Sequence, residues 1–281
     1  MAEPLPLSQE ALDDFITRTL AEDVGTGDVT AEATIPETAR FRARIAAREP
    51  LVVAGLPVAI AIVKRLAPGA SVEVLIEDGR TALPGDVVVR IEGPARALLT
   101  AERSALNILQ HLSGVATLTR SYVDVIAGTK ARLLDTRKTI PGLRVLEKYS
   151  VKMGGGTNHR MGLYDAVLIK DNHLAVAGGV TAAVKACRAR TGLRVQVECD
   201  TLDQAHEAIA AGADSLLLDN MTLDQLREAV GFSPIPLEAS GGVSLQTIRA
   251  IAETGVDYIS VGRLTQSAPA IDLGMDFEDL G

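Results

Sequence analysis

Leu133 to His173 reads LLDTRKTIPGLRVLEKYSVKMGGGTNHRMGLYDAVLIKDNH, and two short apolar runs in and beside it stop abruptly in polar residues. Arg132-Leu133-Leu134 gives way to Asp135-Thr136-Arg137-Lys138, and Ala166 to Ile169 gives way to Lys170-Asp171-Asn172-His173. Short apolar runs of this kind read as buried strands, with the polar residues at their ends. From Arg137 to Lys170 seven basic residues face two acidic ones, Glu147 and Asp165, a local excess of +5 in a chain of net charge -8. Cations gathered at strand ends suit a small ligand with several negative charges, because Arg and Lys give charge-assisted hydrogen bonds to carboxylate and phosphate. The plainer alternative is a solvated basic face beside a flexible loop at Gly154-Gly155-Gly156. Solvent-facing charge, however, usually follows helix periodicity rather than the ends of apolar strands.

Outward from this stretch, everything after Lys130 alternates strand and helix. Strands are expected at 132–134, 166–169, 194–198, 213–218, 236–239 and 257–261. Six βα-type units with short connections predict a parallel sheet curling towards a barrel. A complete barrel has eight strands, so an irregular or open one is expected. Parallel α/β architectures place their chemistry at the C-terminal strand ends. Those ends carry Arg137 and Lys138, then Lys170, then Glu198 and Asp200, then Asp219 and Asn220, then Ser240-Gly241-Gly242, and last Gly262-Arg263. Cations come early, acids in the middle and glycines late.

Ser240, Gly241, Gly242 and Gly262 fit a phosphate seat, where glycine lets backbone N–H groups approach an anion. Glu198 and Asp219 are candidates for sugar hydroxyls or a hydrated Mg²⁺. Each would otherwise cap a following helix, as Asp200 before Thr201 is expected to do. His159-Arg160, after three glycines, is a poor core candidate. Lys170-Asp171-Asn172 with His173 also fits an ordinary loop, and Lys170 at a strand end is a candidate Schiff-base nucleophile.

The first third mixes strands and helices without strict alternation, which predicts a small α+β domain. Ser8 to Val24 has helical spacing with Ser8 as N-cap and Gly25-Thr26-Gly27-Asp28 at its end; Gly55 to Leu66 is a second helix. Phe41–Arg48 alternates apolar with basic residues, and 71–76 and 86–91 are further strands, the former followed by an Asp78-Gly79 turn. Pro94 to Ala127 is mostly helical, with a break expected near Ser113-Gly114. There Arg103, Asn107 and His111, spaced by four, share a face that spacing alone assigns to an exposed or domain-facing surface.

A chain of 281 residues holds one large domain or two ordinary ones, and 47% hydrophobic residues with no Trp is an ordinary soluble composition. No apolar run reaches the length of a membrane span, and Met1 to Pro6 lacks a signal-peptide pattern. Cys187 and Cys199 show no metal spacing and read as reduced core residues of a cytoplasmic protein. A pI near 5.1 argues against general nucleic-acid binding, so the local positive charge points to a small anion.

Asp135-Thr136-Arg137-Lys138-Thr139, Glu147-Lys148-Tyr149, Gly154 to Arg160, Lys170-Asp171-Asn172-His173, Glu198, Leu218-Asp219-Asn220 and Glu238 to Gly242 closely resemble the nicotinate-nucleotide pyrophosphorylase (carboxylating), or quinolinate phosphoribosyltransferase, family. The likeness extends to Glu22 to Gly25, Gly27 to Thr30 and Ala101-Glu102-Arg103. One departure is Gln266, where the family pattern has His or Lys, which puts a side-chain phosphate contact there in doubt. The resemblance implies an α/β chain in two domains. Residues 1–115 would form an N-terminal α/β sandwich joined by the tail 270–281, and 116–269 an irregular, open α/β barrel of the type II phosphoribosyltransferase kind.

It further implies a cytoplasmic homodimer, or an assembly of dimers, that joins quinolinate to phosphoribosyl pyrophosphate with Mg²⁺, giving nicotinate mononucleotide, pyrophosphate and CO2. Arg137, Lys138, His159, Arg160 and Lys170 would bind quinolinate, with Arg103 contributed by the neighbouring subunit. Ser240, Gly241, Gly242 and Gly262 would take the phosphate. Lys138, Lys170, Glu198 and Asp219 would be catalytic, and Glu198 and Asp219 the metal ligands. Two other readings compete: a sugar-phosphate aldolase or isomerase using Lys170 as Schiff base, and a non-catalytic paralogue such as the molybdate-transport-associated relatives. Those relatives depart from the Lys170-to-His173 pattern that is intact here.

Overall fold

A computed structural model describes residues 4–278; residues 1–3, where a leader was sought, and 279–281, the end of the tail, lie outside it. The chain divides into two compact units. One takes the residues up to 119, 145–155 and those from 267 on; the other takes 120–144 and 156–266.

The first unit begins with α1 (Gln9–Asp23), whose N-cap Ser8 accepts from Ala11 N at 3.2 Å. Asp28 does more than end that helix: its carboxylate accepts from the Thr30 and Ala31 amides at 3.1 and 2.9 Å and so starts the short α2 (Val29–Thr34). Next come β1 (Arg40–Ala47), β2 (Leu51–Val52), α3 (Leu56–Leu66), β3 (Ser71–Val74), β4 (Thr81–Ala82) and β5 (Val87–Pro94). The alternation in β1 is as expected, with Ala43 and Ile45 buried while Arg42 reaches Glu92 at 2.8 Å on the other face. Asp78, read as a turn residue, is buried instead. It accepts from the Gly55 and Leu56 amides at the start of α3 and from Tyr149 Oη at 2.8 Å.

Helix α4 (Ala95–Val125) runs unbroken through Ser113-Gly114, against the expected break. The two residues serve packing. Ser113 Oγ bonds both the amide and the carbonyl of Ala54, and a Cβ at Gly114 would collide with the Pro269 carbonyl. The pair therefore admits neighbouring backbone rather than interrupting the helix.

After β6 (Arg132–Leu134), helix α5 (Arg144–Met153) buries Glu147, Lys148 and Tyr149. The alternation then continues through β7 (Val167–Ile169), α6 (Asp171–Ala177), α7 (Val180–Arg188), β8 (Val195–Cys199), α8 (Leu202–Ala210), β9 (Ser215–Asp219), α9 (Leu223–Phe232), β10 (Leu237–Ser240), α10 (Ile248–Ala252), β11 (Tyr258–Ser260) and α11 (Arg263–Gln266). The six strands form one parallel sheet in the order β6-β11-β10-β9-β8-β7. The first two strands of the unit are thus its edges and do not pair, so the sheet stays open. A single bridge from Leu134 to Thr157 extends the β6 edge. Val195, Val197, Leu216, Leu218 and Ile259 are buried along it.

Two local expectations differ from the structure. Thr201, not Asp200, caps α8, accepting from Gln204 N at 3.2 Å while Gln204 Oε1 returns to the Thr201 amide. Lys170 to His173 is no loop but the start of α6, where His173 Nδ1 accepts from Lys170 N at 2.9 Å. The last strand, β12 (Leu273–Glu278), joins the first unit's antiparallel sheet, ordered β12-β1-β5-β3. Cys199 is buried and free, its thiol pushed up to about 12 by burial first and by the nearby acids Asp200, Glu198 and Glu207. Among the described residues no helix is long and apolar enough to cross a membrane.

Candidate active site

The C-terminal ends of the parallel strands open into a cavity of about 790 Å³. Of the strand-end candidates, Arg137, Lys138, Lys170, Glu198, Asp219, Asn220, Ser240, Gly241, Gly242, Gly262 and Arg263 line it, as do His159 and Arg160, whereas Asp200 does not. Arg103 is elsewhere, exposed on α4 in the first unit. On the same helix His111 turns inward to Glu147, with Nε2 2.9 Å from Oε1.

On the cationic side, Arg137 follows β6 and Arg160 lies in the segment before β7. Arg160 is anchored through Nη1 to the Ala166 carbonyl at 3.0 Å. Burial, and then the charge of Arg137, lower the Arg160 guanidinium from its ordinary value, while Asp165 partly opposes them. The two like charges are therefore close enough to repel, and Arg137 Nε is buried without a hydrogen-bond partner. Asp165 orders this loop by accepting from the Met161 and Gly162 amides at 2.7 and 3.0 Å.

Lys170 pairs with Glu198, the acid at the end of β8. The lysine is 45% exposed, so it lacks the desolvation that would make it a Schiff-base nucleophile. Lys138 passes directly over Gly262, where an added Cβ would lie 2.8 Å from Lys138 Cδ. Its carbonyl accepts from Thr265 Oγ1 at 2.7 Å, tying the loop after β6 to α11.

Opposite lies the acidic and glycine-rich side. Asp219 ends β9 and accepts from Asn220 Nδ2 at 2.7 Å. Asn220 adopts a left-handed φ of 54° and bonds the Ser240 carbonyl through its amide at 2.9 Å. Gly241 packs against it with φ 92°, and a Cβ there would overlap the Asn220 side chain, so only glycine fits. Among the described residues no three His, Cys, Asp or Glu side chains group into a metal site. The two mouth carboxylates, Glu198 and Asp219, fit the partial coordination of Mg²⁺, which ordinarily keeps waters and takes substrate phosphates as further ligands.

Three polar residues beneath the mouth, Asp135 and Glu238 buried and Gln196 half-buried, were not singled out as site residues from sequence. Asp135, fully buried, accepts from His159 N at 2.7 Å and Asn158 Nδ2 at 2.6 Å and so places the His159 segment. His159 Nδ1 receives the Arg160 amide at 2.7 Å, while Nε2 lies 3.2 Å from Gln196 Oε1 and 3.4 Å from Glu238 Oε2. Gln196 Nε2 donates to Glu238 Oε2 at 2.8 Å. Burial alone would raise the Glu238 carboxyl, yet His159, Ser260 and Gln196 around it hold it below its ordinary value. Its other oxygen, Oε1, is buried and outside hydrogen-bonding geometry to any neighbour. A signal for two of the three existed: Gln196 and Glu238 stand two residues before Glu198 and Ser240, on the same strand faces.

Two family models match, the quinolinate phosphoribosyl transferase N-terminal domain over residues 28–113 and the C-terminal domain over 115–276. The chain is 44% identical to the nicotinate-nucleotide pyrophosphorylase [carboxylating] of Mycobacterium leprae, an alignment covering 95% of this chain and 97% of that protein. It is 42% identical to a probable nicotinate-nucleotide pyrophosphorylase [carboxylating] of Bacillus subtilis, over 91% and 89% of the two chains. The structure of the nicotinate-nucleotide pyrophosphorylase from Francisella tularensis superposes with a TM-score of 0.94 at 40% identity, covering 98% of each chain.

Proposed function

Because this chain belongs to the quinolinate phosphoribosyl transferase family, we propose that it joins quinolinate to phosphoribosyl pyrophosphate, releasing pyrophosphate and CO2 and leaving nicotinate mononucleotide for NAD synthesis. The observation that carries this reading is the pair Arg137 and Arg160. Two half-buried guanidiniums that repel one another, one with an unpartnered buried Nε, are unfavourable until an anion lies between them. Quinolinate brings two adjacent carboxylates, and Lys138, Lys170 and His159 complete the wall around it.

The acidic side takes the other substrate. The loop amides at Ser240, Gly241, Gly242 and Gly262 receive the 5′-phosphate, and Glu198 and Asp219 bind ribose hydroxyls. The same two carboxylates would hold Mg²⁺, which supplies positive charge against the departing pyrophosphate. The pyridine nitrogen forms a bond to C1 of the ribose as the bond from C1 to pyrophosphate breaks, and the nearby carboxylates favour the cation-like ribose in between. The ring nitrogen is then positive and stabilises the electron pair left at C2 when CO2 departs; a proton takes the vacated position. Arg103, exposed on its helix, would enter this site from a second subunit of a cytoplasmic homodimer.

The test is the release of pyrophosphate and CO2 from quinolinate, with nicotinate as control. Equal rates on the two, or product without CO2, would sink the assignment.

A further inference from the structure

His159 is held from behind by a hydrogen-bond chain that runs down into the sheet. Gln196 on β8 and Glu238 on β10 form the layer just below Glu198 and Ser240. Such layers are ordinarily filled with branched apolar residues, and polar groups there are costly unless bonded. Each bond in this chain has a direction.

An ionised carboxylate only accepts, so Glu238 takes the Gln196 Nε2–H at 2.8 Å. That fixes the amide with Oε1 towards His159 Nε2 at 3.2 Å. Both atoms facing Nε2, Gln196 Oε1 and Glu238 Oε2, are acceptors, so Nε2 carries the ring proton. Nδ1 is then bare and accepts the Arg160 amide at 2.7 Å. The tautomer is assigned from these partners. Were the Gln196 amide reversed, its N–H groups would face Nε2 and only Glu238 Oε2, at 3.4 Å, would remain to accept the Nε2 proton.

We propose that Glu238 is a positioning residue for substrate binding: through Gln196 it sets the His159 tautomer, and through that tautomer the backbone from which Arg160 reaches the cavity. The lowered Glu238 carboxyl agrees, since the chain keeps its direction only while that group is ionised. The inference rests on quinolinate being the ligand of the cation cluster.

Glu238→Gln is the informative variant. It keeps the shape but can donate as well as accept, so it no longer dictates the direction. Ring-nitrogen NMR of the four histidines, assigned by single replacements, should show one Nε2–H tautomer for His159 in the native chain and a mixed or reversed one in the variant. Quinolinate affinity should fall by about tenfold or more, the scale on which metal binding weakens when a group orienting a metal-ligating histidine is lost, with the KM for phosphoribosyl pyrophosphate unchanged. If Glu238→Gln fails to fold, Gln196→Leu removes the nearer acceptor of the Nε2 proton, leaves only the longer contact to Glu238 Oε2, and should weaken quinolinate binding in the same direction with the KM for phosphoribosyl pyrophosphate unchanged. An unaltered His159 tautomer, unaltered quinolinate affinity, or equal weakening of both substrates overturns the proposal. Absence of quinolinate binding by the native chain would instead refute the substrate assignment, and the tautomer readout would still decide the relay.

Discussion

Arg137 and Arg160 share a half-buried wall, where burial first and then the charge of Arg137 lower the Arg160 guanidinium from its ordinary value. Arg137→Ala and Arg160→Ala should each abolish turnover or raise the quinolinate KM, by an amount corresponding to about 2–5 kcal/mol, with melting temperature unchanged. Wild-type kinetics in either variant would dismiss the carboxylate assignment. The same charge crowding predicts selectivity. Nicotinate lacks the C2 carboxylate and leaves half-buried cations unpaired, so kcat/KM should drop by roughly 10⁴-fold. Phthalate keeps both carboxylates but has no nucleophilic nitrogen, so it should compete with quinolinate without reacting. Competition kinetics with both compounds settle this point. Charges of this kind are legible in sequence because they end apolar runs. Asp135, Gln196 and Glu238 were not, because their role depends on which way neighbouring side chains turn. His159 looks like a cation in sequence, yet in the structure both its ring nitrogens face partners within the chain.

Among the elements, the six parallel strands were expected within two residues of where they lie, since short apolar runs mark buried strands clearly. Gly114 resembles a helix breaker but gives room to the chain at Pro269, so the expected break is absent, while Asp28 follows one helix as expected and also caps the next. The open edge between β6 and β7 was only half legible, because a strand count cannot say which strands pair. Gly262 is the element-scale test, since it seats the loop after β11 and also lets Lys138 cross it. Gly262→Ala should fold normally, because a flexible lysine stem can move aside. It should still lower kcat/KM for phosphoribosyl pyrophosphate by about a hundredfold, the scale of a 1 Å misplacement in a catalytic site. A variant with native kinetics would show that Lys138 does not need that path.

The molecule as a whole carries Arg103 in one unit and the cation-lined mouth in the other. If two subunits share each site, mixing inactive Arg103→Ala with inactive Lys138→Ala chains should restore activity, because hybrid dimers contain one site with both residues. With subunit exchange demonstrated by mass spectrometry, absence of recovery would rule out sharing.

The strand order also has a consequence for synthesis on the ribosome. In the parallel sheet β6, finished at residue 134, has β11, made at 258–260, as its partner strand, besides the single bridge to Thr157. In the antiparallel sheet β1, at 40–47, waits for β12 at 273–278 to cover its open edge. In each sheet an edge of an early strand thus stays open until the final stretch of chain emerges, although β1 can already pair β5, and pairing across such sequence distances is slow and exposes strand edges. Nascent chains stalled after α10 should therefore stay sensitive to protease and bind no quinolinate, and release of the remaining residues should bring protection and binding together. Full protease resistance in the stalled chain would mean that the sheets hold without their late strands.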